Sequence, residues 1–262
     1  MILSIRNSKN QTINLFEDEK VYQVISVSGL DPVKGQINTD TIVGVDGTRF
    51  NSARLNNRNI VIQLKINGDA DTNRNDLYTK LPVKEKVLLT ITTNRTVTIE
   101  GYIEYINCDI FAKKQIAQIS IICPDPYFRG SSSYITGTAG RTSVVFGDTN
   151  PGEAPSGFSL SFRFQGDSTG FSVTAGGESL QFSCTLSDPN SININTTSKD
   201  ATALIQIGND YEVISLIPYI IIGSVFPKIP SGLFVVSVSV TGTDINMDSG
   251  ASIIYTPLYG GL

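Results

Sequence analysis

The chain has 262 residues, 40% of them hydrophobic and 17% charged, with a formal net charge of −4. This length is comfortable for two domains and can bury a core that needs neither a metal nor a disulfide staple. No Lys/Arg run exceeds two residues, so no basic patch for nucleic acid is visible, and the absence of His removes the usual neutral-pH general base and the commonest zinc ligand.

Ser, Thr, Asn and Gly take the place of charge. They suit exposed strand faces, turns and surfaces that pack against other proteins, because uncharged polar groups cost less to desolvate. The apolar start MILSIRNSKN is too short for the hydrophobic region of a signal peptide. Ile60–Ile66 alternates as a strand. Gly68–Pro82 breaks the alternation and predicts one short helix, with Asp71 or Thr72 as N-cap, Leu77, Tyr78 and Leu81 on one face, and Pro82 as the stop. Lys86–Ile106 predicts a β-hairpin around Thr93–Thr96, with Leu89, Ile91, Val97, Ile99, Ile103 and Tyr105 in one phase. Gln115–Ile122 alternates again. It runs into Cys123, Pro124, Asp125 and Pro126, where the prolines end sheet pairing, and Tyr127 and Phe128 are expected to pack back as an apolar plug.

After Gly130 the stretch 131–157 is rich in Gly, Ser and Thr and reads as a linker plus loops. From Phe158 to Ile254, short runs of β-formers alternate with turn signals, the pattern of a β-sandwich or jelly roll. Val213–Phe226 is shorter than the roughly 20 residues of a membrane helix and is broken by Pro218, so it is read as two buried strands around a turn. The fold class is therefore mainly β: an N-terminal barrel- or sandwich-like domain with one short helix over 1–130, then a C-terminal sandwich over 131–262.

Chemistry is sparse. Cys123 would need a base or cation to become a nucleophile, and the nearest candidate, Arg129, lies beyond two prolines. A buried strand end explains it better. Cys108 and Cys184 are equally isolated in sequence. Carboxylate pairs could serve a glycosidase. Candidates are Glu17, Asp18, Glu19, Glu100 with Glu104, and Asp125, but none is flanked by an aromatic platform, and Glu100/Glu104 reads as a solvated strand face. Asp69–Asp76 lacks the glycine and closing glutamate of an EF-hand loop, and Thr136–Ser143 lacks the ending of a P-loop. Phe162, Phe164, Tyr211 and Tyr219 are the aromatics that could face a sugar if the sandwich binds carbohydrate without catalysis. No catalytic, cofactor or metal residue is expected.

Several stretches form an ordered set: GVDGTRFNSARLNNRNIVIQLKING at Gly44–Gly68, RNDLYTKLP at Arg74–Pro82, IEGYIEYI at Ile99–Ile106, and QISIICPDPYFRG at Gln118–Gly130. Together they resemble the Dit family, the distal tail proteins of long-tailed siphophages of Gram-positive bacteria. NPGEAPSGFSLSF at Asn150–Phe162 and FPKIPSGLFVVSVSV at Phe226–Val240 are similar to parts of that family's galectin-like C-terminal sandwich. The ending IIYTPLYGGL lacks the Arg/Trp-rich close of many members, which leaves open that the last ten residues return to the first domain.

The resemblance implies a virion structural protein of the tail tip, or baseplate hub, assembled in the bacterial cytoplasm, with no enzymatic activity, no cofactor and no membrane insertion. It implies a homo-hexameric ring made by the N-terminal domains, with an extended arm reaching the neighbouring subunit. The ring would join the major tail tube protein to the tail-associated hub or lysin protein and let DNA pass through its lumen unread. The galectin-like domains would carry receptor-binding or baseplate proteins. The alternative is a carbohydrate-binding adhesion module recognising host cell-wall polysaccharide.

Overall fold

The computed structural model describes residues 2–15, 21–112 and 114–262. The protein is mainly β and divides into two compact units, one made of Met1–Gly130 with Tyr259–Leu262, the other of Ser131–Leu258.

In unit 1 the strands are β1 (Ile2–Asn7), β2 (Thr12–Asn14), β3 (Tyr22–Ser28), β4 (Gly35–Thr41), β5 (Thr48–Leu55) and β6 (Arg58–Ile66). The helix α1 (Ala70–Lys80) follows, then β7 (Lys86–Thr92), β8 (Thr96–Cys108), β9 (Ile116–Cys123) and β10 (Phe128–Arg129). The main sheet runs β2-β1-β7-β8-β9-β6-β3, all antiparallel, while β4 and β5 pair only with each other. Period-two alternation buries Ile60, Ile62, Leu64 and Ile66 of β6 against Ile119 and Ile121 of β9, and Leu89 and Ile91 of β7 against Val97 and Ile99 of β8. The hairpin phase fails at one place. A register shift between Ile103 and Tyr105 inserts a bulge, so Ile103 is buried and Tyr105 is turned outward.

The helix is capped two residues before the first of its sequence candidates. Asp69 is the N-cap: it has extended backbone, and its carboxylate accepts the Thr72 N–H and, at 2.7 Å, the Thr72 hydroxyl. These bonds, the hydroxyl first, hold the Asp69 carboxyl below its usual range. Asp71 and Thr72 fall inside the first turn, where Asp71 pairs with Arg74 at 2.8 Å. Leu77 and Leu81 are buried, but Tyr78 is exposed.

Unit 2 comprises β11 (Ser133–Thr136), β12 (Thr138–Ala139), β13 (Ser143–Asn150), β14 (Phe158–Phe162), β15 (Phe164–Ala175), β16 (Glu178–Phe182), β17 (Leu186–Ser187), β18 (Ser191–Asn195), β19 (Asp200–Ile207), β20 (Asp210–Ser215), β21 (Gly232–Met247) and β22 (Ser252–Tyr255). A last short strand, β23 (Leu258–Tyr259), pairs with β10. One sheet runs β11-β22-β14-β18-β19-β20 and the other β12-β13-β21-β15-β16, with β17 on β15. One core joins the inner faces of both sheets. Phe171 stacks on Phe182 at 4.5 Å, Phe162 meets Phe171 edge-on, and Phe234 meets Tyr255 edge-on.

Two longer segments differ from their sequence pattern. The stretch 131–157 is not a run of loops but contains β11, β12 and β13. Val144 and Phe146 alternate into the core while Val145 and Gly147 face out. Val213–Phe226 is not two buried strands. Beyond β20, Pro218 sits in a 3₁₀ turn over Ile217–Tyr219, and the rest drapes along β16 through Ile221 N–H to Gln181 O and Val225 N–H to Ser179 O, leaving Ile222 fully exposed. Among the described residues no helix is long and apolar enough to cross a membrane.

Gly101 of β8 lies close against the end of its neighbour β9, where an added Cβ would lie 2.7 Å from Ile121 Cγ2 and 2.8 Å from Cys123 Sγ. Gly101→Ala is therefore expected to destabilise unit 1 by roughly 1–3 kcal/mol, read as a lowered urea midpoint.

Candidate assembly surfaces

β4 and β5 form a ribbon outside the main sheet, and every residue from Gly35 to Leu55 is exposed. Ile37 is 66% exposed, Phe50 62% and Val43, in the turn, 98%, so apolar groups stand on a ribbon that has no core of its own. Cross-strand bonds hold it: Arg54 donates twice to Gln36 Oε1, Asn38 donates to Ser52, and Asn51 to Asp40. An isolated two-stranded ribbon is marginal in water. Exposed apolar groups gathered in this way make the ribbon a candidate docking surface.

The root of the ribbon is built differently. Arg58 follows it in sequence after Asn56 and Asn57 and is 2% exposed. Its Nε donates to Pro126 O at 2.8 Å, one Nη to Gly29 O at 2.5 Å and Asp31 O at 2.7 Å, and the other Nη to Gly260 O at 2.5 Å. The guanidinium carbon lies 4.2 Å from the centre of the buried Phe128 ring. The planar fork of five donors suits such an array of carbonyls, and a lysine ammonium would not. Burial lowers the Arg58 pKa, with nearby Cys123 and Asp31 acting the other way.

Gly29 has φ +84°, and an added Cβ would lie 2.0 Å from Asn59 O, so the strand entering the ribbon needs glycine there. The last residues complete the root. Leu262 N–H donates to Leu30 O, Gly261 lies against Pro32, and the Arg95 guanidinium covers the Tyr259 ring at 4.4 Å.

The sequence-derived candidates for chemistry are dispersed. Cys123 is buried, and burial pushes its thiol up to about 12 against the pull of Arg58; burial pushes Cys184 to about 11 and raises Cys108. Protonated thiols are poor nucleophiles. Glu100 and Asp125 do line one cleft of about 190 Å³, but each has its own cation: Lys86 at 3.0 Å for Glu100 and Arg129 at 3.1 Å for Asp125. Glu104 accepts instead from Ser120 Oγ at 2.7 Å. Glu17, Asp18 and Glu19 lie outside the described residues. Phe162 and Phe164 are core residues, whereas Tyr211 and Tyr219 are exposed. Of the expected plug, Phe128 is fully buried and Tyr127 only half-buried, because Tyr127 sits in the turn where its N–H caps Asp125. Among the described residues no group of three or more metal-ligating side chains is placed to hold an ion.

Sequence periodicity does not single out Arg58, although a signal exists. It shares the parity of the buried Ile60, Ile62, Leu64 and Ile66. A charged residue in the inward phase of a strand marks a buried anchor.

A mainly β chain of two units, with an exposed ribbon rooted in the first, is a known architecture. The structure is similar to that of the Dit protein of phage SPP1, described as a paradigm of hub adsorption apparatus in phages infecting Gram-positive bacteria, with a TM-score of 0.70, 15% identity, and 98% and 99% of the two chains covered. At that identity the likeness establishes a Dit-like fold. Chains of the phage P2 baseplate in its activated conformation, with Ca and with Sr, align over 100% of this chain and 99% of theirs at 12% identity, but with a TM-score of 0.49. No protein-family model and no curated protein matches the sequence.

Arg58→Met strands four carbonyls. At about 1–3 kcal/mol for each buried group left unpaired, the expected loss is at least about 4 kcal/mol, with faster amide exchange at residues 29–31 and 259–262 by mass spectrometry. Arg58→Lys is expected to recover only part of it.

The thiols set a second expectation. Because folded Cys123 keeps its proton from pH 9.0 to about 12 while the unfolded thiol has lost it, that stabilisation is complete below pH 9.0 and fades as pH rises towards 12. Thermal melts of Cys123→Ala should lose less stability over this window than those of the native chain.

Proposed function

We propose that this protein is a structural hub of a phage tail tip, a virion baseplate protein that assembles as a hexameric ring. The observation that carries the reading is the Dit-like fold over 98% of the chain together with a ribbon of exposed apolar side chains fixed at a buried root. In this reading, unit 1 forms the ring and the β4–β5 ribbon is the arm that lies on the neighbouring subunit. Ile37, Val43 and Phe50 are then buried only on assembly. Closing a ring through one repeated head-to-tail contact also covers strand edges. The ring joins the tail tube to the tail-associated hub or lysin protein, and unit 2 carries receptor-binding or baseplate proteins.

DNA passes through the lumen without being read. Part of the acidic excess, net −4, lines that channel in this proposal, because carboxylates repel phosphate whereas a basic lining would retain it. A basic lumen in a map of the assembled ring would overturn that point. The role is mechanical rather than catalytic: the paired Glu100 and Asp125 and the protonated thiols offer no acid–base or nucleophilic constellation.

Negative-stain electron microscopy of the purified chain, alone and with tail tube and hub proteins, tests this. The expected outcome is a six-fold ring with an open centre, lost when Gly35–Leu55 is replaced by a short Gly/Ser turn although both units stay folded. A strict monomer under all these conditions would overturn the proposal.

A further inference from the structure

Unit 2 contains a cleft of about 500 Å³, inside the range of roughly 300–1,000 Å³ typical of small-molecule sites. It opens beside the end of the β15–β21 ladder, where Phe164 pairs with Met247 and Gln165 with Asn246. Phe164 and Met247 point into the core and close the floor. Gln165 and Asn246, cross-strand neighbours, share one wall, and Asn190 stands in the loop between β17 and β18. Among the described residues, none of these three carboxamides has a hydrogen-bond partner within the chain.

The surrounding backbone is fixed. A bulge between Gln165 and Asp167 turns β15 at the cleft. The loop is latched to that bulge: Gly166 N–H donates to the Asp188 carboxylate at 2.6 Å, and Asp188 N–H donates to Gly166 O at 3.2 Å. At the rim, Arg163 Nε donates to Asp248 at 2.6 Å, and Gly250 N–H donates to the other Asp248 oxygen at 2.7 Å. The Gly250 bond first, then Arg163, hold the Asp248 carboxyl below its usual range, so it is an ionised acceptor at neutral pH.

This donor and acceptor set defines a ligand class. Each carboxamide offers a donor and an acceptor side by side, which matches adjacent hydroxyls on a ring. One guanidinium against two carboxylates leaves the rim negative, which disfavours phosphate, sulfate and carboxylate ligands. The floor residues are sealed in the core, so no ring is offered for stacking an aromatic ligand.

We propose that this cleft binds a neutral saccharide, with Gln165, Asn190 and Asn246 bonding neighbouring ring hydroxyls and the Arg163-oriented Asp248 accepting a further one. Without a stacking platform a single site is weak, with Kd in the millimolar range, and becomes useful when several copies are held together. The site lies within unit 2 and stands whether or not the chain forms a ring.

The test is a titration of the ¹⁵N-labelled full chain by NMR, following side-chain amide signals. The probes are D-galactose, D-glucose, L-rhamnose and N-acetyl-D-glucosamine, with sn-glycerol 3-phosphate as the anionic control. The expected result is saturable shifts of the Gln165, Asn190 and Asn246 carboxamides with at least one neutral sugar and a weaker response to the phosphate. Asn246→Ala, at an exposed position, should keep the backbone spectrum and weaken that sugar about tenfold. No saturable shift with any neutral sugar, shifts confined to other parts of the chain, a stronger response to glycerol phosphate, or unchanged affinity in Asn246→Ala would each overturn the proposal.

Discussion

Unit 1 depends on one guanidinium sealed from water. Arg58 gathers the carbonyls of Gly29, Asp31, Pro126 and Gly260 and lies on the ring of Phe128. These atoms come from three separate stretches of chain, of which only those around Pro126 and Gly260 share a ladder, through β10 and β23. A buried charge is tolerated only where its donors are fully used, so the same residue that is costly alone becomes a hub once all its partners are present. The arrangement is cooperative by construction, because each missing carbonyl leaves a desolvated N–H behind. It also explains how a solvent-exposed ribbon can leave the sheet at a defined place: Gly29 and Asp31 precede it, Arg58 follows it, and both roots converge on one side chain.

The regular parts of this fold were written plainly in the sequence. Alternation in Ile60–Ile66, the hairpin around Thr93–Thr96, the short helix and the turn-punctuated β-runs after Phe158 all correspond to elements, because burial on one face of a sheet imposes period two. Where local signals misled, tertiary contacts had the deciding role. The bulge that turns Tyr105 outward comes from register with β9. The helix cap fell to Asp69 because only that residue holds extended backbone three positions before Thr72. Of the strands in 131–157, β11 and β12 are sheet edges and β13 pairs between β12 and β21; their Ser, Thr and Gly content looks like that of a loop when read alone.

The candidate surfaces were less legible for a physical reason. A buried root made of backbone carbonyls has no residue signature, and free carboxamides gather only when a bulge and a latched loop bring them to one cleft. Arg58 betrays itself only by parity. The residues that looked most chemical, Cys123, Glu100 and Asp125, are quenched by burial or by their own counter-ions.

The pairing of β10 with β23 has a consequence for how this chain can change. It places the exit from unit 1 beside the re-entry, so unit 2 is an insertion whose ends are hydrogen-bonded neighbours, and the Arg58–Gly260 contact spans 202 residues. Closure entropy grows only with the logarithm of loop length, about 0.6 kcal/mol per doubling. Lengthening, shrinking or exchanging the inserted cassette is therefore nearly free for the body that holds it, provided its two ends still meet. Selection can remodel the insert for new contacts while the Arg58 clamp stays as it is.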